Sequence, residues 1–437
     1  MVDNCSGDCS GSCANVEELV DELKTGRMII LCDDEDRENE GDLILPAQFS
    51  DTEKMAFIIK HTGGVVCVSM NNDTADRLEL PNMVERNTAS RGTAFTVTVD
   101  ARDNVTTGIS AGDRAYTSRI LADRNTTPEM LTKPGHIFPL RAKKGGVLVR
   151  AGHTEGAVDY CRLSGLEQVA VISELMNDDG SMMRFPQICT FAKKHGIKVG
   201  TITDLIEYRR KNEKLIELRA KVQLPTRFGD FTLYGYKSLI DKHEHIALVK
   251  GFDRPEEHEK EKYADELILV RVHSECLTGD VLHSLRCDCG EQLDYAMQQI
   301  EDAGRGVLVY MRQEGRGIGL LHKLQAYELQ EQGYDTVDAN IKLGFKEDER
   351  DYGIGAQILH DLGVRKISLM SNNPKKYTAL AGYGLEIVEK VRIELKPNPN
   401  NKEYMRTKKN RMGHDLKYVS DRMPAVQNDK SDNSSNQ

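Results

Sequence analysis

The chain has 437 residues, 39% hydrophobic, 29% charged and 6% aromatic, with no tryptophan. At roughly 100–200 residues per domain, this length predicts two to four domains, and the composition excludes a disordered, collagen-like or coiled-coil body. Lys and Arg number 59 against 69 Asp and Glu, a net charge of −10, which argues against a nucleic-acid coat or a basic membrane anchor.

The apolar runs, such as Leu267–Val270 and Val307–Tyr310, are strand-sized and too short to span a bilayer. The expected partners are therefore small molecules, with no nucleic acid and no membrane. Ten cysteines need an explanation. Cys5, Cys9 and Cys13 open the chain, Cys32, Cys67, Cys161 and Cys189 are scattered, and Cys276, Cys287 and Cys289 cluster. The start MVDNCSGDCSGSC has neither the basic region nor the apolar run of a secretion signal, so a reducing, cytoplasmic location is expected, with thiols available for metal or chemistry. Residues 1–14 and 420–437 are polar and low in complexity and are expected to be disordered; metal chelation by the first three cysteines is the alternative for the N-terminal one.

Between the tails, apolar strand candidates alternate with helical patterns, which predicts α+β or α/β architecture. The strands are 28–32, 64–70, 94–100, 147–150, 168–172, 266–273, 306–311 and 366–370. The helices are Val16–Lys24, Thr52–Lys60, Glu155–Ser164, Gln292–Ala303, Gly319–Gln332 and Ile354–Leu362. The segment Asp204–Val222 reads as a highly charged helix capped by Thr203 and stopped before Pro225. It is either a connector between two separate mixed sheet-and-helix domains or one more surface helix.

Residues 33–42 (DDEDRENEGD) follow a strand directly. Such an acidic loop suits a hard divalent cation, although acid runs are commonly solvated turns. Arg150–Glu155 (RAGHTE) opens a helix that Thr154 can cap, and its free N–H groups and Arg150 attract phosphate. His153 there can bind metal or move a proton. KPGHIFP exposes His136 on a Pro/Gly turn, and VISELM sets Glu174 at a strand end. Together they suggest a divalent metal, a phosphorylated substrate and acid–base work on carbon.

DRENEGDL, GTAFTVTVDA, TTGISAGDRA, KPGHIFPL, GGVLVRAGHTE and ISELM resemble the motif set of 3,4-dihydroxy-2-butanone-4-phosphate synthases, over residues 15–208. The resemblance implies conversion of ribulose 5-phosphate to the four-carbon butanone phosphate and formate, a skeleton-rearranging lyase reaction using Mg²⁺ or Mn²⁺. It implies Glu38 and His153 as metal ligands. Arg37, Glu38, Asp42, Arg150, Ala151, Gly152, His153, Thr154 and Glu174 are implied as substrate contacts, and His136 and Glu174 as acid–base residues. Lys133 stands where arginine is more usual, which keeps the charge and loses the fork.

In the second half, Cys276, Cys287 and Cys289 are three close thiols suited to zinc. A fourth ligand from His273 or His283 would close a structural site, whereas an open position would make a nucleophilic hydroxide. YMRQEGRGIG (310–319) has no P-loop or dinucleotide spacing, but its arginines and glycines can grip a polyphosphate. Asp348 and Arg350 lie two apart before a glycine turn, and SNNPKK (371–376) forms another turn.

RVHSECLTGD, LRCDCGEQL, MRQEGRGIGL, DERDYGIGAQIL, SNNPKK and PNPNNKEYMRTKKNRMGH are similar to GTP cyclohydrolase II, over residues 209–419. That similarity implies hydrolytic opening of the guanine imidazole ring of GTP, with zinc on Cys276, Cys287 and Cys289 supplying the attacking water. The products are formate, pyrophosphate and a diamino-ribosylamino-pyrimidinone phosphate. Asp348 is implied as base, Arg350 as nucleophile toward the α-phosphate and Tyr327 as a catalytic residue near guanine. Arg271, Val272, His273, Ser274, Glu275, Gln292, Glu314, Gly315, Arg316, Thr336, Ser371 and Lys376 are implied GTP contacts, Ser371 replacing a usual threonine.

The two resemblances in this order match the fused bifunctional enzymes of riboflavin biosynthesis, which implies a homodimer or higher homo-oligomer. A GTP-sensing regulator with a degenerate first domain could dispense with His136, Glu174, Asp348 and Arg350; all four are present.

Overall fold

Short β-branched runs separated by amphipathic helices build one seven-stranded mixed sheet in each half of the chain. The computed structural model describes residues 13–419 apart from 36, 260, 346, 347, 349 and 351. Two compact units, Met1–Glu213 and Lys214–Gln437, divide the chain, so the seam falls five residues beyond the expected one. Cys5, Cys9 and the tail from 420 lie outside the described residues.

In unit 1 the strands are β1 (Ile29–Cys32), β2 (Gly41–Pro46), β3 (Cys67–Met70), β4 (Val99–Ala101), β5 (Leu131–Arg141), β6 (Val169–Glu174) and β7 (Lys198–Thr201), in the order β4-β5-β3-β6-β2-β1-β7. Alternation along each strand divides the side chains between two buried faces. Ile30, Leu43, Leu45, Val68 and Val171 pack on the helices Thr52–His61, Ala111–Leu121 and Phe185–His195. Ile29, Leu31, Ile44, Cys67 and Ile172 pack on the helices Val16–Lys24, His153–Leu163 and Ile202–Asn212.

Several expectations change here. Cys13 and Ala14, expected in a disordered tail, add onto β7 beside Val199. The run 94–100 contributes only its last residues to a strand. The run 147–150 is no strand: Gly146–Leu148 is a 3-10 turn whose Val147 N–H donates to the buried Asp159 carboxylate at 2.8 Å, leaving no edge to pair. His136 lies within β5, not on a turn, and the Lys133–Pro134 bond beside it is cis.

The helix expected over 204–222 is two elements. A helix Ile202–Asn212, capped by Thr201 rather than Thr203, completes unit 1, and a strand begins at Ile216. Apolar residues at 216, 218, 220, 222 and 224 alternate with polar ones, a strand period that overrides the helical propensity of the charged residues. No helical linker remains. Arg209 of this helix is 5% exposed and donates to the Asp159 carboxylate at 2.7 Å and to Glu213 at 2.9 Å.

Unit 2 contains β8 (Ile216–Thr226), β9 (Gly229–Ser238), β10 (Glu244–Lys250), β11 (Leu267–Ser274), β12 (Gly306–Met311), β13 (Lys366–Met370) and β14 (Glu386–Val391), in the order β14-β13-β11-β12-β10-β9-β8. The first three form an antiparallel meander, β11 to β14 run parallel to one another, and the antiparallel pair β10–β12 joins the two halves. Phe231, Leu248, Leu308 and Met370 cover the helix Cys289–Ala303 through Ala296, Met297 and Ile300. Edge strand β8 carries Arg219, Lys221 and, near its end, Pro225, features that discourage further strand addition.

Arg209→Met should destabilise unit 1 by about 3–5 kcal/mol, because Asp159 would stay buried without its close cation. Urea unfolding of the full chain, followed by a unit 1 probe, measures this, and a loss below about 1 kcal/mol would show the pair to be solvated.

Candidate active sites

Register places the first site. Asp42 of β2 is paired with Glu174 of β6, and Cys67 of β3 with both Ile172 of β6 and Phe138 of β5. Asp42 and Glu174 are thus cross-strand neighbours, and His136 lies two residues from Phe138 on β5, an alternation that puts it on the face that packs the helix His153–Leu163. Glu174 accepts a hydrogen bond from the Val65 N–H at 3.0 Å. His136 Nδ1 meets Asp100 Oδ2 at 2.7 Å, and its backbone N–H donates to the other oxygen at 2.9 Å.

The loop between β1 and β2 folds around Asp33, which accepts from the backbone N–H groups of Glu38 at 3.1 Å and Glu40 at 2.8 Å and from Arg37 at 2.8 Å. Arg37 also pairs with Glu38. Ligand-type atoms of Asp33, Glu38 and His153 lie within 4.8 Å of one another. His153 Nδ1 stands 3.7 Å from Asp42 Oδ1, and both Asp42 Oδ1 and His153 Nε2 are buried without a hydrogen-bond partner. Burial holds the His153 imidazole below its usual range, and therefore neutral. Burial, followed by the neighbouring Glu174, pushes the Asp42 carboxyl well above the carboxylate range. A dication would relieve both costs, since the donor set is two carboxylates and a neutral imidazole.

Ala151, Gly152 and Thr154 gather at the start of the helix His153–Leu163, where Gly152 rather than Thr154 occupies the cap position. The Arg150 side chain is committed internally, donating to Arg91 O at 3.1 Å, Thr93 Oγ1 at 3.0 Å and Glu155 Oε2 at 2.5 Å. Lys133 donates to the carbonyls of Leu78 and Glu79 at 3.2 and 2.6 Å. Sequence reasoning missed Asp33, hidden in an acid run, and Asp100, whose motif gave no hint of its partner.

The second site lies beyond the carboxyl ends of parallel strands, where open sheets of this kind hold ligands. From β11 come Ser274, Glu275 and Cys276, from β12 the Glu314–Gly317 turn, and from β13 Ser371. One cavity is lined by Arg271, His273, Ser274, Glu275, Gln292, Glu314, Gly315, Arg316, Tyr327, Thr336, Arg350, Ser371 and Lys376. Val272 contributes a carbonyl that accepts from Lys376 Nζ at 2.9 Å. Asp348 accepts both ends of the Arg350 fork at 2.7 and 2.6 Å, which holds its carboxyl below the usual range against the cost of burial.

The sulfurs of Cys276, Cys287 and Cys289 lie within 4.8 Å of one another, with no histidine in the cluster among the described residues. His273 instead turns Nε2 to Asp280 at 3.1 Å. Gly279 permits this packing, since a Cβ there would stand 2.9 Å from Cys287 Sγ. Lys323 donates to Cys276 Sγ at 3.0 Å and to Glu314 at 2.8 Å; the other thiols, followed by Lys323, hold the Cys276 thiol far below its ordinary range. Tyr327 Oη lies 3.4 Å from Thr278 Oγ1. Lys323, Tyr404, Lys408 and His414 also line the cavity and were not singled out in the sequence, although the segment holding the last three carries the resemblance.

Two independent sheets, each with its own cluster of metal-type ligands beside polar and ionisable groups, define a two-unit bifunctional enzyme. Family models match in the same order, 3,4-dihydroxy-2-butanone 4-phosphate synthase over residues 17–208 and GTP cyclohydrolase II over 217–392. The chain is 53% identical to the riboflavin biosynthesis protein RibBA of Salinispora arenicola (92% of this chain, 94% of that one) and 53% identical to RibBA of Bacillus subtilis (92% and 99%). A crystal structure of RibBX, a two-domain 3,4-dihydroxy-2-butanone 4-phosphate synthase from A. baumannii, matches 86% of this chain and 99% of its own at a TM-score of 0.65 and 38% identity. The chain belongs to the bifunctional riboflavin biosynthesis family, which joins 3,4-dihydroxy-2-butanone 4-phosphate synthase to GTP cyclohydrolase II.

Gly108 lies where a Cβ would stand 2.1 Å from the Asp100 carboxylate and 2.7 Å from His136 Nδ1, with φ at +91°. Gly108→Ala should therefore displace His136 and lower butanone phosphate formation about 100-fold, with GTP cyclohydrolase activity unchanged in the same preparation. Retention of both activities would show that the His136–Asp100 geometry is dispensable.

Proposed function

We propose that unit 1 converts ribulose 5-phosphate to butanone phosphate and formate, and that unit 2 opens the imidazole ring of GTP with release of formate and pyrophosphate. The observation that carries this reading is the pair of unlike ligand clusters, two carboxylates with an imidazole in one unit and three thiols in the other.

In unit 1, Glu38, His153 and the added Asp33 would hold Mg²⁺ or Mn²⁺, whose charge would stabilise an enediolate formed from the ketose. Glu174 and His136 exchange protons with the substrate carbons, and Asp100 orients His136. Asp42, buried beside Glu174 and His153, hydrogen-bonds a substrate hydroxyl. Helix-start N–H groups at Gly152–Thr154, together with Arg37, receive the phosphate. Arg150 supports this end by bracing the 91–93 loop.

In unit 2, Cys276, Cys287 and Cys289 would hold Zn²⁺ with one position open, which would supply a Lewis acid and an acidified water near guanine C8. The engagement of His273 with Asp280 favours this open arrangement over a closed structural site. Tyr327 and Gln292 contact the base. Arg316 and Lys376 bind the triphosphate, Arg350 meets the α-phosphate, and Asp348 fixes Arg350 and accepts a proton. Lys323 balances the negative charge of the three thiolates.

Formate release from each substrate tests the reading. Cys287→Ser should abolish formate from GTP alone, and Glu38→Ala formate from ribulose 5-phosphate alone. GTP turnover that survives Cys287→Ser would remove the zinc assignment. Lys323→Met should weaken zinc binding about 10–100-fold in competition with a chromogenic chelator; an unchanged competition curve would leave Lys323 without a role toward the metal.

A further inference from the structure

The segment beyond residue 392, where the family match ends, forms part of the second site. Asn372 exchanges two hydrogen bonds with Ile393, at 2.6 and 3.1 Å, and its carbonyl accepts from the Asp415 N–H at 3.0 Å. The helix Lys402–Asn410 between these anchors is followed by Arg411, which donates to Asp338 at 2.9 Å. This segment delivers Tyr404, Lys408, Met412 and His414 to the cavity wall.

Lys408 reaches furthest. Its Nζ stands 2.6 Å from Asp288 Oδ1, and Asp288 is 1% exposed. The other oxygen of Asp288 accepts from Gln292 Nε2 at 2.6 Å; Gln292 Oε1 accepts from Arg271 Nη2 at 2.7 Å, and Arg271 Nη1 donates to Met370 O at 2.8 Å. The chemistry of each group fixes the direction of this chain. An ammonium and a guanidinium only donate and a carboxylate only accepts, so the Gln292 amide has a single orientation, its NH₂ toward Asp288 and its oxygen toward Arg271. Arg271 Nε is left buried and without a partner on the cavity wall, a donor awaiting an acceptor on a ligand.

We propose that Lys408 is a positioning residue for GTP: by pairing with Asp288 it locks the Gln292 amide and the Arg271 guanidinium in the orientation that receives the nucleotide. The proposal rests on the assignment of this cavity to GTP. Because the cation comes from the last helix, recognition of the substrate depends on a segment remote in sequence from the thiol cluster.

A double-mutant cycle on the full-length zinc enzyme tests it, with zinc content per chain confirming an intact unit 2. Lys408→Met should raise the KM for GTP about tenfold or more, with kcat within a few-fold, and Lys408→Arg should recover most of the loss. In a Gln292→Ala background, Lys408→Met should add little further change, because both act through one relay. An unchanged KM, or two effects that simply add, would overturn the relay. If Lys408→Met loses zinc, Lys408→Gln, which keeps the donor and drops the charge, is put through the same cycle with the same two outcomes. If the unsubstituted chain releases no formate from GTP, the assignment of the cavity fails instead, and calorimetric GTP binding by the same four proteins then judges the relay.

Discussion

The pairing of Asp42 with Glu174 across β2 and β6 sets two carboxylates side by side on a largely buried sheet face, and much of unit 1 is arranged around its cost. An isolated buried carboxylate is expensive, and two in contact more so. Burial and Glu174 push the Asp42 carboxyl well above the carboxylate range, and burial keeps the His153 imidazole beside it below its own. The acid loop brings Glu38 beside His153, with Asp33 acting as the internal hub whose oxygens tie down the backbone of Glu38 and Glu40.

Unit 2 solves a comparable problem with different chemistry. Three thiols gathered in one spot repel once ionised, and the nearby counter-charge is Lys323, itself held by Glu314. Elsewhere on the same cavity, Arg271 and Lys376 are buried and Arg350 half-buried; burial and the two arginines push the Lys376 ammonium well below its ordinary range. Such a concentration of cations is costly until a polyanion enters, and the acids that moderate it, Asp288 and Asp348, each hold a basic side chain in a defined direction. Site charge and site geometry are thus the same set of contacts.

Much of this was legible in the sequence. Strands β1, β6, β11, β12 and β13 followed from apolar runs, the acid loop and the three cysteines stood out by residue type and spacing, and Glu38 and His153 by the family resemblance. Two kinds of feature were not. Partners chosen by register, such as Asp100 for His136 or Asp288 for Lys408, are set by strand and helix placement that local pattern does not encode. The 204–222 segment misled because charged residues favour both helices and exposed edge strands; the alternation from Ile216 to Leu224 was the deciding signal. The run at 147–150 looked like a strand by composition, but a buried carboxylate on a neighbouring helix had taken the backbone donor a sheet would have used.

Arg209 has a consequence for synthesis. Every strand of unit 1 has been made by residue 201, yet the cation that neutralises Asp159 arrives eight residues later, on the closing helix. On a ribosome, where domains fold as they emerge, the first unit stays incomplete until this helix clears the exit tunnel. Any nascent chain cut short before Arg209 carries a buried acid without its close counter-ion, a cost that grows as pH rises past the raised Asp159 range of about 6. The ion pair thereby distinguishes a finished first unit from an unfinished one before the second sheet has begun to form.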